Sequence, residues 1–127
     1  MQRKHLFEYA VIRAVPRVER EEFLNIGVIV YCAKLKFLQA KYILNEERIN
    51  AFSKDLDLIE IKEHVCAFER ICLGEKDAGP IGRLDMASRF RWLTAARSTI
   101  LQTSKVHPGF CDDAAETLEK LFDQLVA

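Results

Sequence analysis

The chain has 127 residues, which is the size of one domain with its own hydrophobic core, since domains usually contain roughly 100–200 residues. Half of the residues are hydrophobic and 30% are charged, which excludes an intrinsically disordered chain. The 19 basic residues balance the 19 acidic ones, so the net charge points to neither a nucleic acid nor a membrane as partner. We therefore expect a single globular domain over residues 1–127.

The apolar runs and the cysteines predict a cytoplasmic protein. The best apolar run, residues 26–33, is far shorter than the 18 or more residues that a transmembrane helix needs. Near the N-terminus, Glu8 and Arg13 interrupt the stretch where a signal peptide would have its apolar core. The four cysteines are scattered, and three of them lie in apolar stretches, as is typical of small buried thiols rather than of a disulfide framework.

Three strands are predicted in the first part of the chain, at residues 6–15, 23–32 and 37–44. Their aromatic and β-branched side chains alternate between two apolar faces, and the first strand is expected to be central because both of its faces are apolar. Pro16 ends that strand because proline cannot donate to a strand ladder. The short connections predict an antiparallel meander, since parallel strands need crossovers of about a dozen residues or more.

The remainder of the chain is predicted to be mainly helical. The spacing of apolar residues and the capping residues predict helices at residues 46–53 (after Asn45), 57–73 (before Gly74) and 84–95. A last helix is predicted after Asp113, with Leu118, Leu121, Phe122 and Leu125 on its buried side. The segments between them predict a loop at residues 75–82, a strand at 99–106 and a turn at 107–109. The predicted fold is α+β, with a mostly antiparallel sheet (the meander plus one later strand) packed with three to four helices.

Two further patterns concern the surface and the sheet. The charges form four blocks of alternating sign, basic over residues 1–45 and 79–111 and acidic over 46–78 and 112–127, which suggests a dipolar surface.

Gly27 lies inside the second predicted strand, where glycine often marks a bulge or a close backbone approach. Gly27 and Asn25 would allow a ligand or another chain to approach the sheet, but we expect a tightly packed helix there.

The segment 88–111 carries the candidate ligand-binding residues. It concentrates arginines and hydroxyls near a helix end and a turn, which is the chemistry that binds phosphate or carboxylate groups. The candidates for an anion site are Arg89, Arg97, Ser98, Thr99, Lys105 and His107. Arg13, Arg17 and Arg83 would extend the site if their strand ends are neighbours. The competing interpretation, which we favour, is the solvated face of a strand with arginines that cap a helix.

Two other patterns in this segment are weaker indications of a functional site. Trp92 and Phe90 could stack on nucleic-acid bases, but residues two apart do not share a helix face, and Phe90 is expected to pack in the core with Met86 and Leu93. His107 and Cys111, beside two aspartates, resemble half of a thiol-nucleophile or metal site, yet no second group of ligands accompanies them. We therefore predict no catalytic residues, no metal and no cofactor.

Two stretches resemble a known family, YAVIRAVP at residues 9–16 followed by EFLNIGVIV at 22–30, and FRWLTAARST at 90–99 continuing to VH at 106–107 and CDD at 111–113. Together with the length and the order of elements, they resemble the bacterial family known as domain of unknown function 3037. That family has no established activity, so the resemblance implies no catalytic residue. Its members are often encoded beside a protein similar to the HipA toxin kinases, which implies an accessory role with a kinase-like partner.

These observations lead to two hypotheses of different classes. The first is a small non-enzymatic protein that acts by binding another protein, which agrees with the charge blocks, the missing catalytic pattern and the resemblance. The alternative is a phosphate- or nucleotide-binding domain that uses the segment 89–107. Nucleic-acid binding is a third and weaker interpretation, because the chain is neutral overall.

Overall fold

The computed structural model describes residues 4–127 and has an α+β architecture, which confirms the predicted fold class. Five strands are present in the described residues: β1 His5–Ala14, β2 Leu24–Cys32, β3 Phe37–Tyr42, β4 Leu101–Thr103 and β5 His107–Cys111. Five helices accompany them there: α1 Glu46–Phe52, α2 Leu58–Leu73, α3 Gly79–Gly82, α4 Met86–Leu93 and α5 Ala114–Leu125. None of the helices in residues 4–127 is long and apolar enough to cross a membrane.

Strand β1 lies in the middle of a five-stranded antiparallel sheet, as its two apolar faces predict. β2 pairs with one side of β1, and β3 pairs with the far side of β2, so the predicted meander is confirmed. On its other side β1 pairs with two strands in succession. β5 pairs with its first half, where Tyr9 lies opposite His107, and β4 pairs with its end, where Ile12 lies opposite Thr103.

The segment after α4 differs from the prediction. The expected strand at residues 99–106 is limited to β4, and the expected turn at residues 107–109 is the first part of β5. Proline and glycine at 108–109 are typical of a turn, but proline is tolerated on an edge strand, and among the described strands β5 pairs with β1 alone. The predicted loop at 75–82 likewise contains a short 3₁₀ turn and the single turn of α3.

Gly27 marks a bulge, and its close neighbour is a strand rather than a helix. The register between β1 and β2 shifts beside Gly27, which leaves Ile26 without a partner on β1. A Cβ atom at Gly27 would lie 2.7 Å from the main-chain oxygen of Lys41 and 2.8 Å from Cβ of Tyr42, both on β3. The expectation of a tightly packed helix at Gly27 is therefore wrong, and the glycine is needed because β3 approaches so closely.

The sheet separates two hydrophobic cores. On one face, α1, α2 and α4 cover the sheet with buried side chains such as Ile49, Ile61, Phe68 and Phe90. On the opposite face, α5 is the helix among the described residues that packs on the sheet. Leu118 and Phe122 are buried there as its apolar spacing predicts, with Leu121 and Leu125 partly buried. The predicted caps are also present: Asn45 and Asp113 accept bonds from main-chain N–H groups, and Gly74 ends α2 in the left-handed conformation.

Charge blocks of opposite sign lie next to each other on the folded chain. Arg17–Asp55 and Lys41–Glu119 join a basic block to an acidic one, and a third ion pair, Arg91–Glu8, joins the two basic blocks. In the third pair, two guanidinium nitrogens of Arg91 each donate to a different carboxylate oxygen of Glu8, both at 2.8 Å. This bidentate ion pair connects α4 to β1, and the hydrogen bond to Glu8 raises the pKa of Arg91.

Candidate functional site

A cavity of about 220 Å³ lies between α2, the chain that follows α4, and β4; we call it the α2–α4 cavity. Most of its wall is apolar, formed by Ala67, Phe68, Ile71, Trp92, Leu93, Ala95 and Leu101. Its polar lining comes from His64, Arg97, Thr99, Gln102 and Thr103. An apolar pocket with a few convergent polar groups is the usual form of a small-molecule site.

The local folds of two segments create this cavity. On α2, His64, Ala67 and Ile71 recur at spacings of three and four residues, so they lie on one helical face, which forms one wall. The opposite wall is the connection of residues 94–100 between α4 and β4. The connection is fixed to the sheet at its end, where the N–H of Val15 donates to the main-chain oxygen of Ile100 at 2.7 Å.

Arg97 supplies a permanent positive charge to the cavity. Its guanidinium carbon lies 3.9 Å from the centre of the Trp92 ring, and one of its nitrogens donates to the main-chain oxygen of Trp92. Burial lowers the pKa of Arg97, because removal from water disfavours its charged form. The contact with the Trp92 oxygen uses one of the five N–H donors of a guanidinium group.

The hydroxyl and amide groups of the lining are partly engaged already. The hydroxyl of Thr99 donates to the main-chain oxygen of Leu101 at 2.7 Å, and that of Thr103 donates to the oxygen of Thr94 at 3.4 Å. The amide of Gln102 donates to the main-chain oxygen of Thr99 at 2.9 Å. Because both hydroxyl protons are used, the two threonines offer acceptor sites rather than donors to anything in the cavity.

The structure brings two of the six predicted anion-binding residues together: Arg97 and Thr99 both line the α2–α4 cavity. Arg89 is directed elsewhere, since its guanidinium donates to the main-chain oxygen of Leu84 at 2.7 Å and lies against Gly74 at the end of α2. The three others are exposed and do not line the cavity: Ser98, Lys105 and His107.

The arginines that would have extended the site also lie apart from the cavity. Arg13 stacks on Phe23, with its guanidinium carbon 3.8 Å from the centre of the ring. Arg17 forms an exposed ion pair with Asp55 at 3.2 Å, and Arg83 is exposed. The predicted basic patch is thus divided among several surfaces, and Arg97 is the arginine that lines the cavity.

The two aromatic residues of α4 have different surroundings. Phe90 is buried and stacks on Tyr31, with the ring centres 5.2 Å apart, and it shares its core with Leu93 and Met86 as expected. Trp92 lines the cavity instead. The α2 wall was not among the predicted site residues. Its spacing in the sequence is that of an ordinary core helix, and no sequence signal indicates that α2 faces residues 97–103.

The pair His107 and Cys111 lies on β5, away from the cavity. Cys111 is buried, and burial together with the neighbouring Cys32 raises the pKa of its thiol, which disfavours the thiolate that a nucleophile needs. The ring of His107 lies 5.3 Å from that of Tyr9. Within residues 4–127, no group of three or more His, Cys, Asp or Glu side chains is arranged to hold a metal ion.

Comparison with protein families gives one match that covers nearly the whole chain. Residues 9–126 match the family described as "Protein of unknown function (DUF3037)". No curated protein and no solved structure matches the chain. The matched region runs from the middle of β1 to the end of α5, so it includes the whole sheet except the start of β1, and all the residues that line the α2–α4 cavity. The chain belongs to the DUF3037 family.

Proposed function

We propose that this chain is a non-catalytic binding domain and that it holds a small organic molecule in the α2–α4 cavity. The observation that carries the proposal is Arg97, which stacks on Trp92 at the wall of an otherwise largely apolar cavity. An arginine in that position is partly removed from water, and a bound polar group would compensate for the lost hydration. This proposal keeps the ligand-binding hypothesis but reduces the predicted cluster of basic residues to one.

The size and the charge of the cavity favour a ligand smaller than a nucleotide. The cavity measures about 220 Å³, below the roughly 300–1,000 Å³ of pockets that hold drug-sized ligands. Phosphate chains are usually bound by several cations or by a row of main-chain N–H groups. Arg89 and Lys105, which would add positive charge, do not line the cavity.

A fragment screen read by two independent signals tests the proposal. Trp92 is the sole tryptophan of the chain and lines the cavity, so its fluorescence reports on a molecule that enters. NMR spectra of labelled protein add a map, and binders should shift the methyl signals of Ile71, Leu93 and Leu101. We expect several small apolar fragments with a polar group to give both signals.

A pair of variants tests whether the fragments bind inside the cavity. One variant fills the cavity without changing its polar groups, and the other is its matched control. Ala67→Phe places a ring against the α2 wall, and it should abolish both signals while the protein stays folded. Ala87→Phe, on α4 but away from the cavity lining, should leave binding unchanged. If no fragment shifts the cavity signals, or if Ala67→Phe leaves binding intact, the proposed function is wrong.

A second candidate function, an accessory role through a protein partner, is favoured by a separate observation. Leu6 and Phe110 lie directly opposite each other on β1 and β5, and 52% and 60% of their surfaces are exposed. Directly opposed side chains share one face of a sheet, so the pair forms an apolar spot at the sheet edge. Lys34 and Glu8 both border the same depression as Leu6, so the charges there are mixed and the apolar pair is the feature that suits a partner. The kinase-like partner implied by the resemblance belongs to this proposal.

A variant-controlled pull-down tests the accessory role. Tagged chain is incubated with lysate of its source cells, treated with nuclease and washed at roughly 0.5 M salt, which weakens phosphate-backbone binding. A specific partner should be lost with Phe110→Glu and retained with Ile59→Glu, which changes a residue that is 71% exposed on α2. Equal recovery with both variants, or no partner at all, would contradict the accessory role.

A further inference from the structure

The charges around the α2–α4 cavity favour a ligand with one negative charge. Arg97 is its permanently charged lining residue, and none of the described residues that line it is Asp or Glu. A neutral ligand would cover the partly buried guanidinium without giving it a charged partner, which is costly. A ligand with several negative charges would leave the additional charges opposite apolar walls. One anionic group is therefore the best match to the lining.

The donors at the cavity favour a carboxylate as that group. The guanidinium group of Arg97 is a planar fork, and two parallel N–H groups on one edge match the two oxygens of a carboxylate. Its contact with the Trp92 ring restricts the orientation of this fork. The hydroxyls of Thr99 and Thr103 already donate to main-chain oxygens, so neither has a proton left to donate to an anion. They therefore do not add a second position for an anionic group.

The walls and the volume define the rest of the ligand. Phe68, Ile71, Leu93 and Leu101 present hydrocarbon surface. An engineered apolar cavity of about 150 Å³ holds one benzene molecule, so about 220 Å³ accommodates a ring with a short acid side chain. The ring of Trp92 adds a flat surface on which an aromatic ligand can stack.

From this geometry we infer that the ligand is a small monocarboxylic acid with an aromatic or branched apolar body, and that Arg97 binds its carboxylate. This inference rests on the proposed function, because it specifies the ligand of the same cavity. The carboxylate takes the free edge of the guanidinium group, and the apolar body lies between the α2 wall and Leu101.

A matched set of ligands separates the acid from its apolar body. Benzoate, phenylacetate and 3-phenylpropionate are compared with their uncharged amides and with inorganic phosphate, by calorimetry and by Trp92 fluorescence. We expect at least one acid to bind about ten- to a hundredfold more tightly than its amide, as is typical of a hydrogen-bonded charge. Phosphate, which lacks an apolar body, should bind more weakly than the acid.

Substitutions at Arg97 test its role directly. Arg97→Gln should remove the preference for the acid, and Arg97→Lys should retain part of it because the charge remains while the planar fork is lost. Binding is measured by calorimetry in these variants, since a change beside Trp92 also changes its fluorescence. Thermal unfolding of each variant verifies that it is folded. If Arg97→Gln does not fold, Arg97→Lys and the amide comparison still give the answer.

The outcomes distinguish failure of the inference from failure of the proposed function. If acid and amide bind equally and Ala67→Phe blocks both, the cavity binds a ligand but the carboxylate inference is wrong. If phosphate binds more tightly than every acid and does so through Arg97, the inferred class of ligand, a monocarboxylic acid, is wrong. If none of the probes binds and the fragment screen is also negative, the proposed function fails too. An acid preference that disappears with Arg97→Gln and is blocked by Ala67→Phe supports both.

Discussion

Cys72 illustrates at the residue scale how burial determines the chemistry of a side chain. It lies on the inner face of α2, almost fully buried, and burial raises the pKa of its thiol to about 12. Burial also raises the pKa of the Cys111 thiol on the other side of the sheet. Because the thiolate is the reactive form of cysteine, both residues act as apolar packing groups at neutral pH.

The buried thiol of Cys72 should make the fold sensitive to alkali. Its folded pKa lies above the usual value of 9.0, so its contribution to stability is complete below about pH 9 and is lost as the pH rises towards 12. We expect it to lower the free energy of unfolding by about 1.4 kcal/mol per pH unit in that range. Cys72→Ala should remove this part of the decline, measured by urea unfolding from pH 8 to pH 11.

The control for the alkaline experiment lies on the same helix. Cys66 is only partly buried, so Cys66→Ala should retain the decline. Tyr42, whose pKa is raised chiefly by burial, should continue to contribute in both variants. A decline of the same steepness in Cys72→Ala and in the unchanged protein would show that this thiol is not responsible.

Residue identities predicted some features of the chain and missed others for a physical reason. The caps Asn45 and Asp113 and the left-handed Gly74 follow from local chemistry, and each is confirmed. The surroundings of Arg97 and Arg89 do not follow from it. Both lie in the same basic segment, but one reaches the cavity and the other the end of α2, and helix packing decides between them.

At the scale of elements, Ser104 explains how one strand can have two partners on the same side. Between β4 and β5 the strand ladder along β1 is interrupted. There the N–H of Val11 donates to the hydroxyl of Ser104, and the N–H of Ser104 donates to the main-chain oxygen of Val11, both at 2.8 Å. A side chain thus replaces a main-chain partner, and Ser104 itself is buried.

Ser104→Ala should therefore destabilise the fold. The change leaves the N–H of Val11 buried without a partner, which costs about 1–3 kcal/mol. Urea unfolding should show the loss, and hydrogen exchange should show faster exchange at the Val11 amide. Ser98→Ala removes an exposed hydroxyl of the same basic segment and should change stability by less than about 0.5 kcal/mol. Equal stability of the two variants would contradict the role of Ser104.

The elements before residue 75 follow closely from the sequence, and those after it do so less well. Strands β1, β2 and β3 have strong two-sided apolar patterns and short links, so their pairing is determined locally. β4 and β5 are short, and β5 begins with the turn-like residues His107 and Pro108. Their strand conformation comes from pairing with β1, a contact between distant parts of the chain that local patterns do not encode.

At the scale of the whole molecule, one sheet serves two cores. The inner residues of β1 and β2 alternate between the faces, so Ile12 and Ile29 pack under α2 and α4 while Val28 and Val30 pack under α5. The two central strands therefore belong to both cores. A chain that lost the packing of α5 would expose one face of the same sheet that supports the α2–α4 cavity, and we therefore expect the two cores to unfold together.

Leu118→Ala tests this coupling with a probe on the far side of the sheet. Leu118 is buried on α5, and its truncation should cost about 2–5 kcal/mol. Trp92 lies on α4, across the sheet from α5, so its fluorescence reports on the other core. If the cores unfold together, Leu118→Ala shifts the urea midpoints of the Trp92 fluorescence and of the helical circular dichroism equally. The control is Gln124→Ala, an exposed change on α5, which should leave both midpoints nearly unchanged. If α5 detaches separately, circular dichroism falls first while the Trp92 transition stays in place, and ligand binding in the cavity would then persist without α5.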